Sequence, residues 1–132
     1  TPVRAGGSDM EAFRAARNVL ERGEVLCIFP EGTRSRSGVL QQPKPGAAML
    51  ATRTGAPVLP VGISGTDRFL GPGQRLPRVG SRVTLRVGRP FVVTLDRSLP
   101  RREALQSVSD EIMVRIAALV EVRHRGRFGR YE

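Results

Sequence analysis

The sequence predicts an α/β fold: a single domain with a mostly parallel central sheet and flanking helices. Two short apolar runs, 25–29 and 57–63, have the length and composition of strands buried on both faces. A helical pattern lies between them, and strand, helix, strand in that order indicates a right-handed parallel crossover. The chain has 132 residues, which is enough for one domain with its own core.

Three helices are predicted from their ends and their apolar spacing. Ser8 and Glu11 form a capping box before a helix over 9–22, and Gly23 ends it. Pro45 suits the first turn of a second helix that runs to Gly55. A long amphipathic helix follows Pro100 and is expected to cover the sheet. Its apolar positions are Leu105, Val108, Ile112, Ile116 and Leu119.

The remaining segments are a loop, a strand and a tail. Residues 65–80 are rich in Gly and Pro, which is typical of a long surface loop. In 82–87, apolar residues alternate with Arg and Thr, so we expect a strand with one solvated face near the sheet edge. Residues 123–132 carry several arginines and are predicted to form a basic tail on a domain spanning 1–132.

Composition limits the partners to anionic molecules without selecting one. The net charge is +10, and Lys44 is the only lysine among 22 basic residues. Nucleic acid, lipid headgroups and phosphorylated metabolites all remain open on charge alone. The single cysteine, Cys27, is expected in the core of a protein from a reducing compartment. No apolar run is long enough to span a bilayer, so any membrane contact of these residues is expected to be peripheral.

The segment 29–38 (FPEGTRSRSG) follows the first predicted strand directly, where ligands of open α/β sheets bind. Arg34 can offer paired donors to a phosphate, and Thr33 and the amides around Gly32 can add neutral donors. A carboxylate at Glu31 would repel a phosphate, so we expect it to hold Arg34 or loop amides. An ordinary loop salt bridge between Glu31 and Arg34 is the alternative.

Residue order favours the phosphate interpretation, because 29–35 resembles the third signature block of the glycerolipid acyltransferases, typified by 1-acyl-sn-glycerol-3-phosphate acyltransferase. The segment 44–48 (KPGAA) resembles the helix start that follows this block, and 58–61 (VLPV) resembles the fourth block. The segment 87–91 (VGRPF) is similar to the later glycine-x-proline turn of that family. The resemblance therefore covers most of the chain in the right order.

The resemblance implies an enzyme of phospholipid biosynthesis that transfers a fatty acyl group from acyl-CoA or acyl carrier protein to a lysophospholipid hydroxyl. It assigns Glu31, Gly32, Thr33 and Arg34 to the acceptor phosphate and Pro60 to the acyl-donor side. It implies no cofactor or metal, since the acyl thioester is a substrate. It also implies peripheral contact with an anionic membrane at its cytoplasmic face, and no nucleic acid is expected.

Two further family blocks match poorly or are absent. The tail of the second block resembles 1–7, but the match puts either Arg4 or Ala5 at its arginine, so a second phosphate ligand at Arg4 stays open. The catalytic His-x-x-x-x-Asp block is missing, because the one histidine, His124, has Phe128 four residues later. No catalytic residue is therefore assigned. The chain begins at Thr1, and we expect it to be an inactive piece of a longer enzyme.

Two alternatives remain open after this comparison. The arginines at 123, 125, 127 and 130 would suit a basic nucleic-acid-binding module, although the chain has no tryptophan and one tyrosine for base stacking. A noncatalytic lipid-binding relative would keep the fold without the chemistry.

Overall fold

A computed structural model describes residues 9–33, 35, 37–69, 76 and 79–130. Its helices and strands follow one another in a mixed α/β order. They are α1 (Asp9–Glu21), α2 (Gly46–Thr54), β1 (Val61–Ser64), α3 (Thr66–Phe69), β2 (Thr84–Val87) and α4 (Arg101–Ala117). Two 3-10 turns, Val122–His124 and Gly126–Arg130, follow α4 and are called the C-terminal segment here.

The three predicted helices are confirmed close to their expected ends. Helix α1 ends at Glu21, two residues before Gly23, whose φ of 74° is the left-handed conformation that glycine adopts without a steric penalty. Helix α2 has Pro45 at its N-cap and a left-handed Gly55 that donates its N–H to the Ala51 carbonyl. Helix α4 begins directly after Pro100. The capping residue expected at Ser8 lies outside the described residues.

The core lies between α2 and α4 rather than between α4 and a sheet. Ala48 and Ala51 of α2 pack with Val93 and with Val108 and Ile112 of α4, and all five are buried. Small side chains on α2 let the two helices approach closely, and the branched residues of α4 fill the space between them.

A second buried cluster joins the C-terminal half of α4 to the C-terminal segment. Met113 and Ala117 of α4 pack against Phe128, with Leu40 and Val114 at the margin. The segment that the sequence predicts to be a basic tail therefore folds back onto α4 up to Arg130. Burial of Phe128 removes an aromatic ring from water, which favours this arrangement.

The mostly parallel sheet is not found among the described residues, where β1 and β2 form a two-stranded antiparallel sheet. Val61 pairs with Val87, and Ser64 pairs with Thr84. The predicted strand over 57–63 is shortened because Pro60 has no N–H for the ladder. Ahead of Pro60, Val58 forms only an isolated antiparallel bridge with Phe91.

The predicted strand over 25–29 is wrong for this structure. The segment has no strand conformation, and Val25 and Phe29 are largely exposed. Cys27, expected in the core, is exposed as well. A strand exists only where neighbouring backbone satisfies its N–H and C=O groups, and in the described part of the chain no strand pairs with 25–29.

The turn after α4 packs on the face of the sheet that carries Gly62 and Ser64, and not on the apolar face. Gly62 lies against Leu119, and Ser64 Oγ accepts the Glu121 N–H at 3.2 Å. The opposite face carries Leu59, Ile63, Leu85 and Val87, all exposed. The Arg and Thr side of 82–87 is solvated as expected at Arg82 and Arg86, and the apolar side is solvated as well; of these residues, Thr84 alone is half-buried.

Candidate functional site

The motif residues lie in a closed loop, residues 30–44, which we call the Glu31 loop. Its two ends are joined because the Lys44 N–H donates to the Pro30 carbonyl at 2.8 Å. A tight turn opens the loop, in which the Gly32 N–H donates to the Phe29 carbonyl at 3.0 Å. Compact loops whose ends meet in this way often carry function.

Glu31 is half-buried and turned into the loop. One of its carboxylate oxygens accepts the Gln41 N–H at 2.7 Å. A carboxylate that accepts a backbone N–H ties two stretches of chain together, and its negative charge is then directed at the protein. This contact is one of the two roles expected of Glu31; the other, with Arg34, lies outside the described residues.

Gly32 allows Lys44 to approach the turn. Gly32 has a φ of 68°, and a Cβ at this position would lie 2.8 Å from Lys44 Cδ and 3.2 Å from Lys44 Nζ. Any larger residue would therefore push the lysine stem away from the turn. The ammonium group of the exposed Lys44 side chain thus lies beside Gly32.

Lys44 was not among the residues that the sequence assigns to the site. The resemblance uses it only to mark a helix start, and no periodicity predicts that its stem crosses Gly32. The available signal was its identity as the sole lysine of the chain, immediately before Pro45.

The other predicted phosphate ligands are placed only in part. Thr33 is exposed beside Gly32. Arg34 and Arg4 lie outside the described residues. Their roles, and phosphate binding by the loop as a whole, remain predictions.

Pro60 is buried where the fourth block meets the later glycine-x-proline turn. Its carbonyl accepts the Gly88 N–H at 2.9 Å. A Cβ on Gly88 would lie 2.9 Å from Pro60 Cγ and 3.2 Å from Leu119 Cδ1. The glycine is required here by close packing, and two segments of the resemblance are therefore in direct contact.

His124 is buried, and both of its ring nitrogens face oxygen atoms. Nδ1 lies 2.5 Å from the Gly38 carbonyl oxygen, and Nε2 lies 3.7 Å from Asp67 Oδ1. A general base needs a ring nitrogen that can reach the substrate proton. Neither nitrogen meets this condition, so this histidine is not suited to serve as the base.

Asp67 belongs to a group of alternating charges around His124. Its Oδ2 accepts from Arg123 Nη1 at 3.0 Å, and Arg123 Nε also donates to Glu121 at 2.7 Å. Burial raises the pKa of Asp67, but the Arg123 hydrogen bond and the charges of Arg123 and His124 outweigh it. The pKa of Asp67 therefore lies below its ordinary value.

The described residues offer neither a metal-binding cluster nor a membrane-spanning helix. No cluster of three or more His, Cys, Asp or Glu side chains there is arranged to hold a metal ion. In the same part of the chain, no helix combines the length and apolar character needed to cross a bilayer.

Comparison with known proteins places the Glu31 loop inside a recognised domain. Residues 4–64 match the acyltransferase family model. A chloroplastic 1-acyl-sn-glycerol-3-phosphate acyltransferase of Brassica napus is 35% identical over 66 residues, which is 50% of this chain and 19% of the relative. A 1-acyl-sn-glycerol-3-phosphate acyltransferase of Borreliella burgdorferi is 41% identical over 65 residues, or 49% of this chain and 24% of the relative.

A longer match extends the similarity beyond the family model. A 1-acyl-sn-glycerol-3-phosphate acyltransferase of Chlamydomonas reinhardtii is 28% identical over 111 residues, covering 84% of this chain and 31% of the relative. The chain thus spans less than a third of the length of each of these relatives. No solved structure matches it significantly. The family-model match and the agreeing relatives together support the resemblance to the glycerolipid acyltransferase family.

Proposed function

We propose that this chain is part of an enzyme that transfers a fatty acyl group from a thioester to the free hydroxyl of a lysophospholipid. The observation that carries the proposal is the family match over residues 4–64, which contains the whole Glu31 loop. In the reaction, the hydroxyl oxygen bonds to the thioester carbonyl carbon and the carbon–sulfur bond breaks. The hydroxyl proton passes to a general base and then to the thiolate that leaves.

The Glu31 loop is proposed to bind the phosphate of the acceptor. Glu31 directs its charge at Gln41, so it does not have to oppose a phosphate in the loop. Lys44 holds an ammonium beside the Gly32 turn, and Arg34 follows two residues later in the chain. One such cation attracts a phosphate charge by roughly 4 kcal/mol at about 4 Å and an effective dielectric of about 20, before desolvation.

The catalytic base is proposed to come from a His-x-x-x-x-Asp block outside these 132 residues. Both ring nitrogens of the one histidine present are already directed at oxygen atoms. We expect the isolated 132 residues to transfer no acyl groups above background. If the whole protein also lacks this block, the noncatalytic lipid-binding alternative is favoured instead.

The parallel sheet is likewise proposed for the whole enzyme. Val25, Ile28 and Phe29 are exposed, and so is the sheet face of Leu59, Ile63, Leu85 and Val87. Exposed apolar stretches of this kind are typical of surfaces that another element covers. Because the chain spans less than a third of each relative described above, we propose that strands from elsewhere in the enzyme pair with 25–29.

The substrates and the location follow from the same proposal. Acyl-CoA or acyl carrier protein is the donor, and no cofactor is needed. The net charge of +10 favours peripheral contact with an anionic membrane, at its cytoplasmic face.

The test compares two substrates in the whole protein. Arg34→Ala and Lys44→Met should each raise the KM for 1-acylglycerol 3-phosphate by about 10-fold or more, because each removes a cation from the phosphate. The KM for the acyl donor should stay within about 2-fold. Arg97→Ala, which removes an exposed arginine outside the loop, is the matched control.

Equal increases for acceptor and donor would overturn the phosphate assignment while leaving acyl transfer intact. Failure of the whole protein to acylate any lysophospholipid would overturn the proposed function itself.

A further inference from the structure

The Glu31 loop is attached to the C-terminal segment through one residue, His124. The His124 ring lies with Nδ1 at 2.5 Å from the Gly38 carbonyl oxygen. The His124 backbone carbonyl accepts the Leu40 N–H at 2.8 Å. Side chain and backbone of a single residue therefore bind both sides of Val39, so the loop cannot shift without breaking one of the two bonds.

The other side of the His124 ring faces Asp67. The His124 side chain is 10% exposed, and its Nε2 faces Asp67 Oδ1 at 3.7 Å. These two atoms are buried, and neither has a hydrogen-bond partner in the described parts of the chain. Because the Gly38 carbonyl can only accept, Nδ1 must carry the proton of this hydrogen bond and act as its donor. Asp67 is held in turn by Arg123.

The loop is thus fixed at two places that flank the predicted phosphate ligands. Near its start, Glu31 binds the Gln41 N–H. At 38–40 it is bound by His124. Arg34 lies between Glu31 and Gly38 in the chain. A small displacement of a binding group weakens substrate binding in enzymes. Loss of either attachment is therefore expected to weaken binding of the acceptor.

We propose that His124 is a positioning residue for acceptor binding, acting through the Gly38 carbonyl on the loop that binds the phosphate monoester of the lysophospholipid. This inference rests on the proposed function of the Glu31 loop. It gives a role to a residue that lies 86 positions from Gly38 in sequence and outside the family match.

The test uses three variants of the whole protein. His124→Leu keeps most of the side-chain bulk and removes the donor. His124→Asn retains an amide N–H close to the position of Nδ1, so it should restore the bond to Gly38. Val122→Ala, which changes an exposed side chain in the same 3-10 turn, is the matched control.

Two measurements are made on each variant. The KM for 1-acylglycerol 3-phosphate should rise about 3- to 10-fold in His124→Leu, the effect of one lost hydrogen bond, with kcat and the donor KM nearly unchanged. Hydrogen exchange at the amides of Leu40 and Gln41 should accelerate about 10-fold in the same variant. His124→Asn and Val122→Ala should resemble the parent in both measurements.

The outcomes distinguish failure of the positioning role of His124 from failure of the proposed acyl-transfer function. Faster exchange with an unchanged acceptor KM would overturn the positioning role, as would equal losses in the Asn and Leu variants. If the parent protein acylates no lysophospholipid, the proposed function fails, and the acceptor-binding role of His124 fails with it. Exchange would then still report whether His124 holds the loop. Thermal unfolding of each variant shows whether His124→Leu is folded.

Discussion

The carboxylate of Glu31 and the backbone N–H of Gln41 are joined at 2.7 Å across ten residues of chain. This bond lies inside the closure made by Lys44 and Pro30, so the Glu31 loop is closed twice. A loop held in this way presents its turn at Gly32 in a fixed orientation. The charge of Glu31 is used within the loop, so it does not have to oppose an anion at the proposed phosphate site.

Replacement of Glu31 tests this closure. Glu31→Ala should lower the free energy of unfolding by about 1 to 2 kcal/mol, because the half-buried Gln41 N–H loses its charged acceptor. Glu31→Gln retains an acceptor oxygen and should lose less. Urea unfolding of the two variants measures the difference, and equal losses would contradict the role given to this bond.

Replacement of Gly32 tests the contact with Lys44. Gly32 and Gly23 have similar φ values, 68° and 74°, but only at Gly32 would a Cβ meet another side chain. Alanine should cost about 1 to 2 kcal/mol of stability at either site from backbone strain. Only Gly32→Ala should also raise the acceptor KM, because it displaces Lys44. Steady-state kinetics on both variants checks this, and an equal effect of Gly23→Ala would argue against the contact.

Acid stability should depend on Asp67. A lowered pKa means that folding is stabilised while the carboxylate is charged, fully above the ordinary pKa of 3.8, and that this contribution is lost as the pH falls through the lowered pKa. In Arg123→Gln the pKa of Asp67 should move back up, and less stability should be lost below about pH 4. An NMR titration of the Asp67 carboxyl carbon measures the shift. An unchanged pKa in the variant would exclude Arg123 as its cause.

Helix α4 should be sensitive at Met113. The side chain of Met113 is fully buried and packs against Phe128, whereas Met10 on α1 is 60% exposed. Met113→Ala should lower the free energy of unfolding by about 2 to 5 kcal/mol through the cavity it creates. Met10→Ala should change it by less than about 0.5 kcal/mol. Thermal or urea unfolding compares the two, and a mild effect at Met113 would mean that the C-terminal segment is not part of the core.

Local signals in the sequence were sufficient for the helices and for the motif. Glycine and proline at helix ends act within one turn of chain, so α1, α2 and α4 were predicted close to their observed ends. The block at 29–35 carries the resemblance to the glycerolipid acyltransferases because its residue order is specific. The loop-amide role of Glu31 followed from a charge argument that needs no tertiary structure.

The strands and the surroundings of His124 depended on contacts between distant residues. An apolar run becomes a strand only beside a partner strand. Residues 61–64 pair with 84–87, whereas 25–29 has no partner strand among the described residues. The sequence predicts His124 in a basic tail, yet its ring nitrogens face Gly38 and Asp67, which are 86 and 57 positions away. The sequence by itself determined the helices, the family resemblance and the candidate loop. Tertiary structure alone decided which strands pair and which residues hold that loop, because hydrogen-bond partners so far apart in sequence leave no periodic signal.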